Sequence, residues 1–394
     1  MLRRMNRMMA NGWNRNRDWF QVRQIWNLSI VTVFILSLPC GIAKADRASV
    51  LYANNFSIEK YDTHTLLTVR NPWRGAENLS FEYALVSKKS PVPDLPVEVQ
   101  VVRTPVERMS VLETVYLGHV QALNLYDQLA GMPHLNYTND QRALRQVENG
   151  YTKEIQTGNS LNIESLLMLK SDLIFTSAMG NPQIDAHPQL QRAKQPVVVT
   201  AGYMEEHPLG RSEWIKFTAL FFDKENEATE IFDRISSEYK RLANMVKRTG
   251  NRPTVVANAP FGGVWHVAGG RSYMAQAIAD AGGDYVFSDD RSFGGVPKDF
   301  ESVYFRAGSA DFWLNPGPFR SLSSLLELDE RFNRFKAFGK GGVFNNTLRV
   351  NAHGGNDIWE RGTLHPEEVL ADLIAIMHPK LLPKHEFVYY ERLD

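Results

Sequence analysis

Aromatic and basic residues recur where loops follow the apolar segments of the second half of the chain. Tryptophan and tyrosine offer large rigid faces with one polar atom, and arginine offers a planar fork that matches carboxylates. The residues are Trp265, His266, Arg271, Tyr273, Phe293, Trp313, Asn315, Trp359, Glu360 and Arg361. Together they suit a flat or bulky ligand that carries negative charge. Core packing is the simpler interpretation for Trp313, which lies inside an apolar segment.

The predicted helix start after Arg271 indicates where in this set of residues the ligand should bind. A helix is predicted from Ser272, and the free N–H groups of its first turn favour an anion, to which an arginine adds a bidentate donor. Trp265 should lie at the same opening of the ligand site as Arg271 and present its ring to the ligand. The competing interpretation is that Trp265 is buried and Arg271 pairs with a surface carboxylate. The ligand-binding candidates are Arg108, Trp265, Arg271, Tyr273, Trp359 and Glu360.

No familiar catalytic motif is present. The chain lacks G-x-S-x-G and H-E-x-x-H, and the Gly339–Gly342 segment lacks the glycine spacing and the Ser/Thr of a phosphate loop. An exported hydrolase that uses Glu360 with His353 or His266 as acid and base stays open as an alternative. A nucleophile and an oxyanion donor at recognisable spacing are missing, so we expect no bond chemistry and no cofactor.

One long amphipathic helix should position these residues. Between Asp223 and Gly250 no proline or glycine interrupts the pattern, Asp223 can cap the first turn, and Gly250 can end the helix in a left-handed conformation. The apolar stripe consists of Ala228, Ile231, Phe232, Ile235, Tyr239, Leu242, Ala243 and Val246. This spacing predicts a continuous helix near Glu225 to Arg248, long enough to act as a strut between two lobes.

Short apolar strands alternate with helices on both sides of this helix, which predicts α/β lobes with mainly parallel sheets. Strand-like segments before the proline-rich stretch 90–96 predict a small N-terminal antiparallel β appendage. The predicted strands and helices include 97–102, 113–125, 162–169, 172–176, 196–200, 254–258, 272–281, 301–307, 311–315 and the helix after Pro366. The predicted divisions are 46–96 for the appendage and linker, 97–212 for lobe one, 213–250 for the connecting helix, 251–379 for lobe two and 380–394 for a tail.

The first 45 residues predict export. A basic segment precedes the apolar run Leu28–Leu38, and Ala43-Lys44-Ala45 forms an A-x-A cleavage site. Cleavage near Ala45 would remove Cys40, the only cysteine, and leave a mildly acidic protein without a nucleic-acid-like charge. An uncleaved anchor, or lipidation at Cys40 despite the lack of a small residue before it, stays open.

The chain resembles the periplasmic substrate-binding proteins of importers for iron-siderophores, haem and cobalamin. The resemblance covers about Val97 to Pro379 and rests on segment order: the Asn162–Phe175 helix and strand, the joining helix 217–247, Ala281–Phe287 and the closing helix. It implies two Rossmann-like lobes, a rigid helical hinge and a metal-chelate in the cleft. We expect a periplasmic, monomeric protein, whose only contact with the membrane is through an importer permease or an uncleaved signal.

The resemblance also implies a docking carboxylate on each lobe, facing arginines of the permease. Lobe two offers Asp284 after Gly282-Gly283, where the family has Gly-Gly-Glu; lobe one lacks the expected glutamate, and Asp185 is a nearby substitute. A zinc- or manganese-binding protein of related architecture is the remaining alternative. It would require at least three His, Asp or Glu side chains that converge between the lobes.

Overall fold

A computed structural model describes residues 46–47, 49–158 and 160–394. The predicted signal peptide, its cleavage site at Ala45 and Cys40 all lie outside the described residues. The described part confirms the α/β class, with mainly parallel sheets in two lobes and one long helix between them. Among the described residues, no helix combines the length and the apolar character needed to span a bilayer.

The N-terminal β appendage is a five-stranded sheet with strand order β1-β2-β3-β4-β5. The first four strands are antiparallel, and β5 pairs parallel with β4 after the proline-rich stretch. The strand that we predicted at 97–102 as the start of lobe one is therefore the edge of the appendage. The strands are β1 Asp46–Arg47, β2 Phe56–Lys60, β3 Thr65–Arg70, β4 Ser80–Ser87 and β5 Gln100–Thr104.

Lobe one is built on a six-stranded sheet with the order β11-β10-β6-β7-β8-β9, parallel except for the short β9. Four of its strands, β6, β7, β10 and β11, are almost fully buried, which is typical of a parallel sheet covered on both faces. The strands are β6 Met109–Val111, β7 Leu129–Pro133, β8 Lys153–Thr157, β9 Ser160–Leu161, β10 Leu173–Ser177 and β11 Val197–Thr200. The helices are α1 Val115–Ala122, α2 Gln141–Glu148, α3 Ile163–Leu169, α4 His187–Arg192 and α5 Pro208–Ala219.

The strut is α6, Glu225–Val246, and it is continuous as predicted. Its ends differ slightly from the prediction. Lys224 precedes the helix, while Asp223 adopts a left-handed conformation (φ 55°) and does not cap it. The helix contacts both lobes: Phe232 packs against Lys216 of α5, and the Tyr239 hydroxyl donates to Asp280 of lobe two at 2.8 Å.

Lobe two contains a mainly parallel sheet, β15-β12-β17-β18-β19, and a three-stranded antiparallel sheet, β13-β14-β16. Its strands are β12 Thr254–Ala257, β13 Pro260–Phe261, β14 Val264–Ala268, β15 Asp284–Tyr285, β16 Gly295–Lys298, β17 Phe312–Leu314, β18 Val343–Asn345 and β19 Glu391–Arg392. Its helices are α7 Tyr273–Asp280, α8 Phe300–Ala307, α9 Leu322–Leu328, α10 Lys336–Gly339, α11 Asp357–Glu360 and α12 Pro366–Met377.

The C-terminal segment after α12 is part of lobe two and not a separate tail. Its strand β19 pairs antiparallel with β18, and Tyr389 and Tyr390 are buried. The buried Asp372 of α12 accepts the backbone N–H groups of 388–390. The predicted boundary at 379 was wrong, because these contacts fold the last residues into the core of lobe two.

Two buried carboxylates fasten the start of the appendage to α5 and to the segment before it. Glu213 accepts the backbone N–H groups of 51–53, and Glu205 accepts those of Asn54 and Asn55. Phe56 of β2 packs its ring against Trp214 and Phe217 of α5. The appendage is therefore fixed to lobe one by charge-assisted hydrogen bonds and by aromatic packing.

Candidate functional site

A cavity of about 1650 Å³ lies between the two lobes. Its lining includes the residues that follow the carboxyl ends of the parallel strands: Thr114 after β6, Asn258 after β12, Asn315 after β17 and Asn346 after β18. Ligands of open α/β sheets bind at this edge, where the loops diverge. The cavity is thus the candidate ligand site, and both lobes contribute to it.

The charge of the cavity lining is entirely positive. Arg74, Arg211 and Arg320 line it, and no Asp, Glu, Lys or His of the described residues does. Within the described part of the chain, none of these three arginines forms a salt bridge with a carboxylate. Arg211 donates to the carbonyl of Tyr203 at 2.7 Å, and Arg320 donates to that of Val350 at 3.0 Å. Their positive charges are therefore available to an anionic ligand.

Aromatic side chains form a second feature of the lining. The Arg211 guanidinium carbon lies 3.7 Å from the centre of the Tyr273 ring, which in turn meets Trp359 edge-on with 6.3 Å between the ring centres. Trp359 is 46% exposed and Phe293 also lines the cavity. Burial raises the pKa of Tyr273, although the nearby Arg211 opposes the shift, so its phenol stays protonated at neutral pH. The lining therefore offers ring faces as well as charge.

Asparagine is the most frequent neutral hydrogen-bonding side chain of the described lining. Asn258 and Asn315 adopt left-handed conformations with φ of 67° and 54°, which asparagine tolerates better than most residues. The other lining asparagines are Asn346, Asn351 and Asn356. Asn351 and Asn356 already bond backbone groups through both amide atoms. The side-chain oxygen of Asn258 and the side-chain nitrogen of Asn346 have no hydrogen-bond partner among the described residues and can bind a polar ligand without adding charge.

The lobes touch along one side of the cavity. Asn351 of lobe two donates its amide to the carbonyls of Asn136 and Thr138 in lobe one, at 3.0 and 3.2 Å. A Cβ atom on Gly355 would lie 2.1 Å from the carbonyl oxygen of Tyr137, so only glycine fits at this close approach. This contact joins the two lobes at the edge of the cavity, next to Val350, whose carbonyl accepts from Arg320.

Of the six predicted ligand-binding residues, the structure brings Tyr273 and Trp359 to the cavity. Trp265 is 0% exposed, packs against Trp313 and donates its indole N–H to the carbonyl of Ala257. Arg271 pairs with Glu206 and does not line the cavity. The prediction of a stacked indole beside a ligand-binding arginine was therefore wrong at both residues. Trp265 belongs to the core, and the Arg271 charge is already neutralised.

Glu360 and Arg108 also lie away from the cavity. The carboxylate of Glu360 is 3% exposed and accepts the N–H groups of Asn139 and Asp140 in lobe one, both at 2.8 Å. Burial raises its pKa to about 7. Arg108 precedes β6, at the strand end opposite the cleft, and donates to the carbonyl of Leu169. The prediction that these two residues bind the ligand is corrected: Glu360 connects the two lobes, and Arg108 forms a hydrogen bond within lobe one.

The two predicted docking carboxylates differ in exposure. Asp284 is exposed, but it begins β15 beside Thr254, the first residue of the parallel β12, and so lies at the sheet end away from the cleft. Asp185 is only 9% exposed and accepts the N–H groups of Met179 and Asn181 in its own loop. Asp284 is thus exposed just after α7, as expected, and its docking role stays a prediction. Asp185 is corrected, because its carboxylate is occupied within its own loop.

The alternatives with a metal or a catalytic pair are also corrected. Among the described lining residues, no three His, Asp or Glu side chains converge between the lobes. The group His365, Glu367 and Glu368 is close enough for a metal, but Glu368 pairs with Arg361 and accepts from Tyr389. Glu360 contacts backbone N–H groups instead of a histidine, and His266 and His353 are exposed.

The three lining arginines were not predicted from the sequence, for identifiable reasons. Arg74 belongs to the appendage, far from both lobes in sequence, and Arg211 lies on α5 just before the predicted strut. Arg320 follows β17 by six residues in a Gly-Pro-rich loop, Gly317-Pro318, which is the one local signal that could have pointed to a cleft loop.

Several proteins are similar to this chain. An uncharacterized lipoprotein of Methanocaldococcus jannaschii is 26% identical over 356 residues, 84% of this chain and 81% of that protein. A second one from the same organism is 25% identical over 326 residues, 78% of each. These relatives align with most of the chain.

Solved structures show the same fold. A periplasmic haem-binding protein of Pseudomonas aeruginosa superposes with a TM-score of 0.54 at 16% identity, over 73% of this chain and 98% of that one. Helicobacter pylori CeuE with Ni(II) bound gives 0.56 at 15% identity, over 73% and 88%. The family profile described as periplasmic binding protein matches residues 110–320, more than half of the sequence. The chain therefore belongs to the periplasmic binding protein family.

Proposed function

We propose that this protein captures a large anionic metal chelate, of the iron-siderophore type, and delivers it to the permease of an ABC importer. Family membership supports the role in uptake, and the work is binding without bond chemistry. The observation that carries the ligand class is the cavity lining: three arginines, none paired with a described carboxylate, and no described acidic residue.

A metal already enclosed by its chelator suits this lining. Such a metal needs no ligand from the protein, and the described lining offers no His, Asp or Glu for a bare ion. Recognition then depends on the chelate's charge, shape and aromatic surface. Arginine forks, aromatic faces and asparagine amides match those three properties.

Haem is the second candidate. Its propionates are anionic, a relative in fold is named as haem-binding, and tyrosine or methionine can ligate haem iron. The lining contains Tyr137, Tyr203 and Tyr273 and also Met179, Met204 and Met274. Titration with haemin separates the two ligands, because protein ligation of haem iron shifts its absorption bands and a saturated iron chelate shows no such change.

Arg320→Ala is expected to weaken binding of a ferric tris-catecholate complex by about ten- to a hundredfold. The substitution removes a donor to an anion, and a hydrogen bond to a charged group contributes about 1.5–3 kcal/mol. Arg320 is exposed, so the fold should tolerate the change. Quenching of tryptophan fluorescence measures the affinity, since Trp359 lines the same cavity.

Arg271→Ala is the matched control for this measurement. It removes an exposed arginine of the same lobe whose charge is paired with Glu206 outside the cavity lining. An exposed ion pair contributes about 1 kcal/mol or less to stability, and the affinity should stay within about threefold of wild type. Equal losses in the two variants, or a wild-type protein that ignores the anionic chelate, would contradict the proposal.

Export through a signal peptide cleaved near Ala45, and residence in the periplasm, are part of the same proposal. The family and the A-x-A sequence support them. Two relatives are named as lipoproteins, which favours Cys40 as an alternative processing and lipidation point. Mass spectrometry of the mature N-terminus distinguishes a chain that begins after Ala45 from one that begins with a lipidated Cys40.

A further inference from the structure

We infer that the N-terminal sheet is a third wall of the ligand cleft, and that its Arg74 contacts the ligand and selects for negative charge. This inference rests on the proposed function, because it assigns a residue to the binding of the same anionic chelate. The sheet precedes the part of the chain that matches the family profile, residues 110–320. The contact would therefore be an addition of this chain to the two-lobed cleft.

Arg74 lies where the appendage meets lobe two. It lines the cavity, and its guanidinium carbon is 5.1 Å from the centre of the Phe293 ring. A Cβ atom on Gly294 would come within 1.5 Å of the Arg74 Nη2 atom, so the guanidinium lies directly against the backbone of lobe two. Arg74 thus spans the space between the appendage and the loop that precedes β16.

Trp73, next to Arg74, fixes the connection between β3 and β4 to lobe one. A Cβ atom on Gly180 would lie 2.5 Å from the Trp73 Cδ1 atom, and the indole packs 5.6 Å from His187 between ring centres. The hydroxyl of Tyr203, itself a lining residue, donates to the carbonyl of Ala178 at 2.7 Å and lies 3.4 Å from that of Pro72. This connection is therefore held by lobe one while Arg74 reaches lobe two.

Within the part of the chain that the structure describes, no carboxylate forms a salt bridge with Arg74. Its guanidinium contacts the face of Phe293 and the backbone at Gly294. Exposed arginines often lack an ion-pair partner, so it is the position of this one that indicates a role. An unpaired guanidinium at the edge of a cavity that holds no described acidic side chain is instead placed for a ligand anion.

The test compares two ferric chelates of the same geometry and different charge. A ferric tris-catecholate is strongly anionic, whereas a ferric tris-hydroxamate is neutral. Arg74→Ala is expected to weaken binding of the catecholate complex by about tenfold and of the hydroxamate complex by less than about twofold. Arg74→Lys should retain part of the preference for the anion. Arg70→Ala, at the exposed end of β3 on the same sheet, is the matched control and should bind both like wild type.

The outcomes separate this inference from the proposed function. If wild type binds the catecholate complex and Arg320→Ala weakens it while Arg74→Ala does not, the third wall is refuted and the proposed function stands. Equal losses of affinity for both chelates in Arg74→Ala would refute the selection for charge. Failure of wild type to bind either chelate would overturn the proposed function together with this inference.

Discussion

Replacing Glu213 with alanine is expected to lower the free energy of unfolding by about 3–5 kcal/mol, which is typical when one partner of a buried charged network is removed. Glu213 is 0% exposed, accepts three backbone N–H groups of the appendage and pairs with Lys216 at 2.9 Å. Alanine would leave these donors and the lysine without their acceptor. Urea denaturation measures the loss, and protease cleavage near residues 49–60 should become faster.

Glu230→Ala is the control for this prediction, because Glu230 is an exposed carboxylate on α6 and its loss should change stability by less than about 0.5 kcal/mol. The loss of unfolding free energy in Glu213→Gln should lie between those of Glu213→Ala and Glu230→Ala. The amide keeps one acceptor oxygen but leaves Lys216 unpaired. A loss below about 1 kcal/mol in Glu213→Ala would show that the appendage is not fastened to lobe one through this carboxylate.

The elements that could be predicted from the sequence are those determined by neighbouring residues. The apolar stripe of α6 repeats at helical spacing, and six of its eight residues are buried in the structure. Ser272 caps α7 and Pro366 opens α12 as their positions in sequence suggest. Local spacing and capping decide these features, so reading the chain in order was sufficient.

Long-range contacts could not be predicted in the same way. The strand Gln100–Thr104 could have paired with the sheet of lobe one or with that of the appendage. It pairs parallel with β4, a strand of the appendage. Trp265 and Trp359 were both predicted to bind the ligand, yet one fills a core and the other lines the cavity. Arg74 comes to the cleft only because Trp73 docks against Gly180. Each outcome depends on which surfaces meet, and the local spacing of residues along the chain does not reveal it.

A loss of stability is expected as the pH rises from about 5 to 8, and Glu360 should account for up to about 3 kcal/mol of it. Burial raises the pKa of Glu360 from 4.5 to about 7; two N–H donors oppose the shift and Asp357 adds to it. The folded protein therefore keeps a proton that the unfolded chain releases near pH 4.5. The stabilising contribution of Glu360 is therefore smallest above pH 7, where its carboxyl group is ionised in both the folded and the unfolded protein.

Glu360→Gln should flatten the dependence of the unfolding free energy on pH between about 5 and 7. The amide has one acceptor instead of two, so the comparison concerns the slope and not the absolute stability. Glu113, buried in lobe one, also has its pKa raised to about 7 by burial, and its own slope should persist in the variant. Glu164→Gln, an exposed substitution on α3, should keep the full wild-type slope.

The neighbours of Glu360 explain why burial dominates its titration. Arg349 is paired with Asp357 and Arg361 with Glu368, so neither guanidinium is free to hold the carboxylate ionised. The acceptor belongs to lobe two and both donors to lobe one, which means that its ionisation changes the contact between the lobes. Parallel pH curves for wild type and Glu360→Gln would refute this account, because they would place the titrating proton on another group.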